Sequence, residues 1–143
     1  MRLSVYSDYS VRVLICAATS QPERLTVDQV AKIFCISRHH LVKVVHDLGR
    51  NGYLDTQRGM GGGFTLARSP EHIRLGDVVR LGEETETVIE CQDRRHRPCR
   101  LLPCCRLKGV FDEAATAFFA VLDRYTLADL VQQPSRIRGV LEF

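Results

Sequence analysis

The chain has 143 residues, 45% of them hydrophobic and 26% charged, with a formal net charge of +3. These proportions describe one ordinary globular domain, or a small domain with a long extension, able to bury its own core. No apolar run approaches a membrane span. The opening MRLSVYSDYSVRVLICAATSQ interleaves Asp8 and Arg12 with apolar residues, which excludes a signal peptide and makes the cytoplasm the expected location.

Charge is unevenly placed. Residues 1–68 hold nine Lys/Arg against five Asp/Glu, and residues 69–143 hold eleven against twelve, so the first half is the better partner for a polyanion. Residues 8–19 predict a helix with Tyr9, Val13, Cys16 and Ala17 on one face and Leu14 beside them. Gln21-Pro22-Glu23-Arg24 ends it. Thr26 opens a short second helix over 27–34, and Gln29 three residues on completes a capping-box pattern. After Cys35-Ile36, Ser37 caps a third helix that runs to Asn51 and stops at Gly52. Cys16 and Cys35 lie in the apolar contexts ICAA and IFCI and are expected as buried core thiols.

The third helix has two faces. Leu41, Val44, Val45 and Leu48 form the stripe expected to be buried, while Arg38, His39, His40, Lys43, His46 and Arg50 lie outside it. A short helix, a tight turn and a helix with a basic outer face is the helix-turn-helix arrangement, whose second helix presents its first residues to base edges. A solvated basic face on a core helix is the plainer alternative. The next stretch favours DNA: residues 53–57 and 64–67 predict two short strands joined by Arg58-Gly59-Met60-Gly61-Gly62-Gly63. Strand, glycine-rich tip and strand directly after a helix-turn-helix make a wing, with Arg58 and Arg68 placed to reach phosphates or a minor groove. A nucleotide-phosphate loop fails on spacing, because GxxxxGK is absent and no helix opens after the glycines. The DNA-contact candidates are Ser37, Arg38, His39, His40, Lys43, Arg58, Gly61 and Gly62.

Residues 73–75 predict a short strand and Asp77 a helical turn ended by Gly82. Further on, Leu107, Val110, Phe111, Ala114, Phe118, Val121, Leu122 and Tyr125 repeat at helical spacing, with Ala115 and Phe119 widening the apolar surface. A face this wide calls for a helix from a second copy, and a homodimer also suits a reader of two-fold DNA sites. Burial within one chain is the alternative. Thr126 opens a last short helix that stops at Pro134, with a fraying tail beyond.

Residues 90–108, ECQDRRHRPCRLLPCCRLK, hold four of the six cysteines and no apolar periodicity. So long an irregular loop needs something to hold it. Cys91, Cys99 and Cys105 offer three thiolates on a loop entering a helix, while Cys104 points away from its neighbour. Arg94, Arg95, Arg97, Arg100 and Arg106 favour metal or cluster binding there. Three chemistries remain open on spacing alone. They are an iron–sulphur cluster, structural zinc with His96 as fourth ligand, and a metal-free thiol switch. An enzyme has little to stand on, with no nucleotide loop, no acid–base cluster and no second cysteine set.

The segments SDYSVRVL, SRHHLVKVVHDLGRNGY, RGMGGGFTLA, IRLGDVVR, CRLKG and YTLADLV together resemble the bacterial iron–sulphur winged-helix repressors over nearly the full length. The resemblance is strongest to their nitric-oxide-sensing branch. It implies a homodimeric transcriptional repressor with a 4Fe–4S cluster (2Fe–2S being the alternative) on Cys91, Cys99 and Cys105. Asp8 of the partner chain would be the fourth ligand. Nitrosylation of that cluster would release operator DNA. Seven residues separate Cys91 from Cys99, longer than is usual in the family. Leu107, Lys108 and Gly109 stand where another branch carries a histidine, which favours the nitric-oxide branch over sensing of iron, cluster supply or redox state. The expected fold is mainly α with a small β-wing. A winged helix-turn-helix occupies 1–82, a connector and cysteine loop 83–105, and a long dimerisation helix with a C-terminal helix 106–143.

Overall fold

The computed structural model describes residues 3–83, 89 and 99–141. Cys91, His96, Arg94, Arg95 and Arg97 lie outside the described residues. Seven α-helices and one antiparallel strand pair are described. The first helix, α1 (Val5–Ser20), begins earlier than its apolar pattern predicts because Ser4 caps it, its hydroxyl accepting from the Ser7 amide. α2 (Val27–Phe34) opens on the expected capping box, with Thr26 and Gln29 each accepting from the other's backbone. α3 (Arg38–Arg50) starts after Ser37, which occupies the cap position without a side-chain hydrogen bond.

Strands β1 (Leu54–Gln57) and β2 (Gly63–Leu66) pair antiparallel, Leu54 opposite Leu66 and Gln57 opposite Gly63. Leu25 adds a bridge to Phe64, its amide and carbonyl both bonded to that residue at 3.0 and 2.7 Å. The strand pair is therefore tied to the linker before α2 as well as to its own turn. α4 is Leu75–Gly82, α5 Arg106–Leu122, α6 Leu127–Leu130 and α7 Pro134–Leu141.

The core lies where α1, α3 and the strands meet. Val13, Leu14, Cys16 and Ala17 of α1 face Leu41, Val44, Val45 and Leu48 of α3, with Val30, Phe64, Ile73, Val78 and Leu127 closing the cluster. The predicted α3 stripe is the buried one. Burial pushes the Cys16 thiol up to about 12, so it is an inert core group.

Three expectations are corrected. Residues 73–75 do not form a strand: Leu75 begins α4, and the extended backbone left at Arg74 makes a single bridge to Thr126. Pro134 starts a helix instead of ending the ordered chain, since proline at a first helical turn lacks only an N–H that would be unpaired anyway. Cys35 is exposed, not a core thiol. It caps α2 in the left-handed conformation at φ 53°, which swings its side chain off the apolar face that its neighbour Ile36 keeps. Among the described residues no helix is long and apolar enough to cross a membrane.

Candidate nucleic-acid interface and metal site

The helix-turn-helix places the first turn of α3 outward. Ser37, Arg38, His39, His40 and Lys43 are all exposed, and so are His46 and Arg50 further along. Arg38 is held by Asp28 of α2 at 2.7 Å, so its guanidinium is oriented across the motif. His40 lies 6.1 Å from His39 and 6.5 Å from Tyr9 of α1, measured between ring centroids.

Arg58 and Gly61 are exposed, Gly61 at φ 73°, a conformation that side chains resist. Gly62 is packed against backbone: an added Cβ would lie 2.5 Å from the Gln57 carbonyl oxygen and 2.7 Å from that of Gly59. The tip thus needs glycine there for its own turn. Met60, which no pattern singled out, is wholly exposed at the tip. Arg68 is engaged elsewhere. Its guanidinium donates to the Gly52 and Asn51 carbonyls at 2.8 and 2.9 Å and stacks on Tyr53 at 4.4 Å, so it ties the wing to the end of α3.

Residues 99–105 form two successive turns leading into α5, with Leu102 N–H bonded to Cys99 and Cys104 N–H to Leu101, both at 3.0 Å. Cys99 and Cys105 are half-buried and Cys104 is exposed, none in a disulfide. Cys104 turns its sulphur back to the Leu101 carbonyl at 3.5 Å. Cys105 occupies the N-cap of α5 but makes no capping hydrogen bond, so its sulphur is left for another partner. The positive end of a 17-residue helix favours the negative charge of a metal-bound thiolate there. Soft thiolates with a half-buried setting fit an iron–sulphur group.

Asp8 is in the first turn of α1, where it is paired with Arg12 at 2.7 Å; the two side chains are 45% and 41% exposed. Arg12 in turn lies over Phe34, the last residue of α2, at 5.4 Å. Asp8, Cys99 and Cys105 do not gather into a three-ligand group within one chain, since no such group exists among the described residues. The residues flanking Asp8 were not legible as functional, and they reach α3. Tyr6 donates from its hydroxyl to Asp47 of α3 at 3.2 Å, and Tyr9 meets His40. Burial first, then the Asp47 charge, pushes the Tyr6 phenol up to about 12, which keeps it a donor. The 41-residue separation of that pair explains why no local pattern disclosed it.

Residues 3–133 match the Rrf2 family, described as an iron-dependent transcriptional regulator. The HTH-type transcriptional regulator NsrR of Bacillus subtilis (strain 168) is 45% identical over 143 residues, covering 99% of this chain and 98% of its own. NsrR of Shouchella clausii is 44% identical, covering 100% of this chain and 97% of its own. Among solved structures, T. potens IscR superposes with a TM-score of 0.73 at 23% identity, covering 92% of this chain and 87% of its own. CymR, the global cysteine regulator of B. subtilis, superposes with a TM-score of 0.71 at 24% identity, covering 92% and 97%. At that identity the superpositions speak for the fold.

Proposed function

The chain belongs to the Rrf2 family of transcriptional regulators, and on that premise we propose that it is a homodimeric, iron–sulphur-dependent repressor that releases operator DNA in response to nitric oxide. Its place of action is then the cytoplasm, on double-stranded DNA. The ligands are Cys91, Cys99 and Cys105 of one chain and Asp8 of the other, holding a 4Fe–4S cluster. When bound, that cluster supplies iron sites open to a small diatomic gas, the one on the carboxylate being the most exchangeable. The first turn of α3, through Ser37, Arg38, His39, His40 and Lys43, contacts the major groove, and Arg58 with the Gly61-Gly62 tip contacts the adjacent groove.

The observation that carries this reading is the position of Asp8. It stands on α1 between Tyr6 and Tyr9, which touch the far and near ends of α3 through Asp47 and His40. A carboxylate taken up by a partner-held cluster thus sets the helix against which the DNA-reading helix rests. When Asp8 is let go, Arg12 four residues on is there to receive it. Specific binding needs both half-sites to fit at once, so a small change in the spacing of two α3 helices costs most of the occupancy. The partner-helix requirement has its own support: Leu107, Val110 and Val121 of α5 are 56, 60 and 44% exposed in the single chain.

Anaerobic purification tests the cofactor: a brown protein with a visible charge-transfer band and about four irons per chain is expected, and a colourless protein holding one zinc overturns the proposal. A gel-shift titration of the brown protein then tests the signal. Operator binding should be lost on adding nitric oxide. Loss with peroxide or chelator alone, and none with nitric oxide, would favour a redox- or iron-sensing repressor of the same architecture.

A further inference from the structure

A polar cluster joins the start of α1 to the end of α4. Glu83, which follows α4, receives two donors on one carboxylate oxygen: the Ser4 amide at 2.8 Å and the Ser7 hydroxyl at 2.7 Å. The Ser4 hydroxyl donates to the Gly82 carbonyl at 2.9 Å and accepts from the Ser7 amide at 3.0 Å. Ser7 is fully buried, and an added Cβ on Gly82 would lie 2.8 Å from its backbone nitrogen, so the two helix ends meet with no room for a side chain between them. Every donor in the cluster has an acceptor. A carboxylate at the positive end of a helix, with its hydrogen bonds made, holds that end firmly.

What this clamp holds is the first turn of α1. Asp8 directly follows Ser7, and its amide donates to the Ser4 carbonyl at 3.1 Å, so the backbone of Asp8 hangs on the same residue that Glu83 grips. We propose that Glu83 is the positioning residue for Asp8: it fixes the turn from which Asp8 is offered to the partner's cluster, an inference that rests on the ligand assignment above. Glu83 is a poor candidate for a ligand itself, because the carboxylate oxygen it presents inward is already taken by two donors. In metal sites the groups that orient a ligand matter nearly as much as the ligand, and their loss typically costs ten- to a hundredfold in affinity.

The test follows iron loss to a chelator from anaerobically purified protein, together with amide hydrogen exchange in the cluster-free protein. Glu83→Ala should speed iron loss about tenfold or more, and Glu83→Gln, which keeps an acceptor oxygen, should restore most of the difference. In an Asp8→Ala background, Glu83→Ala should add nothing further, because both changes act on one ligand. Glu83→Ala should also speed exchange of the Ser7 and Asp8 amides without the cluster. Wild-type iron loss in Glu83→Ala, or an undiminished acceleration in the Asp8→Ala background, overturns the proposal. Should Glu83→Ala not fold, Ser7→Ala removes one donor of the clamp and is held to the same two outcomes. A wild-type protein that binds no iron removes the ligand assignment instead, while unchanged amide exchange in Glu83→Ala removes the clamp itself.

Discussion

α3 and α5 carry the same i, i+3, i+4, i+7 apolar spacing, yet one is closed within the chain and the other is not. In α3, Leu41, Val44, Val45 and Leu48 are all buried against α1 and the strands. In α5, Phe119 is the one buried residue, while Leu107, Val110 and Val121 stay open. The difference lies in neighbours. α3 is flanked by elements close in sequence that fold over it, whereas α5 rests on α4 along one side, with Arg80 bridging to Asp123 at 2.6 and 2.8 Å and stacking on Phe119 at 4.5 Å. Apolar periodicity thus announces that a face will be covered without saying by what.

The sharpest way to break this contrast is to delete one aromatic from each region. Phe64→Ala, at a site 1% exposed, should cost about 3–5 kcal/mol in urea unfolding. Phe118→Ala on α5, half-buried and stacked edge-on to Phe119, should cost under about 1.5 kcal/mol at monomeric dilution. Equal costs would mean that α5 is as closed as α3. Next comes Val110→Glu on the open face, expected to convert a dimer into a monomer in sedimentation while moving the unfolding free energy of the winged-helix half by less than about 0.5 kcal/mol. A Val110→Glu protein that still sediments as a dimer would show that another surface joins the chains.

A smaller effect is expected on the outer face of α3. Lys43→Ala should weaken operator binding evenly across sequences and lower the slope of log K against log salt by about 1, if the lysine meets a phosphate. A change confined to one base position would instead make it a base contact. The smallest effect concerns the contact of α4 with α5. Its hydrogen bonds from Arg80 hold the Asp123 carboxyl below the usual carboxylate range. A carboxyl lowered in the folded state adds stability above its unfolded pKa, about 3.9, and loses it as pH falls through the folded value. Acid titration of the melting temperature should therefore fall less steeply below pH of about 4 in Asp123→Asn than in the wild type.

Much of the winged-helix half was legible in the sequence. The Thr26–Gln29 box, the α3 stripe and the glycine-rich tip are local signals, each written within a few residues because helix caps, helix faces and tight turns are local physics. The misreadings have equally physical causes. Cys35 looked like core because its neighbours are apolar, and one left-handed residue turned it outward. Residues 73–75 had strand-like composition, but Ile73 and Arg74 alone are extended and make a single bridge before Leu75 turns into helix.

By itself the sequence determined the winged helix-turn-helix, the basic face of α3, the cysteines at 91, 99 and 105 and the apolar surplus of α5, all properties of spacing along the chain. Tertiary structure alone decided which of these meet. It set Tyr6 on Asp47, Tyr9 on His40 and Glu83 on Ser4 and Ser7, contacts between residues far apart in the chain. No local propensity encodes such pairs, because they exist only after helices have packed and brought their side chains within hydrogen-bond or van der Waals reach.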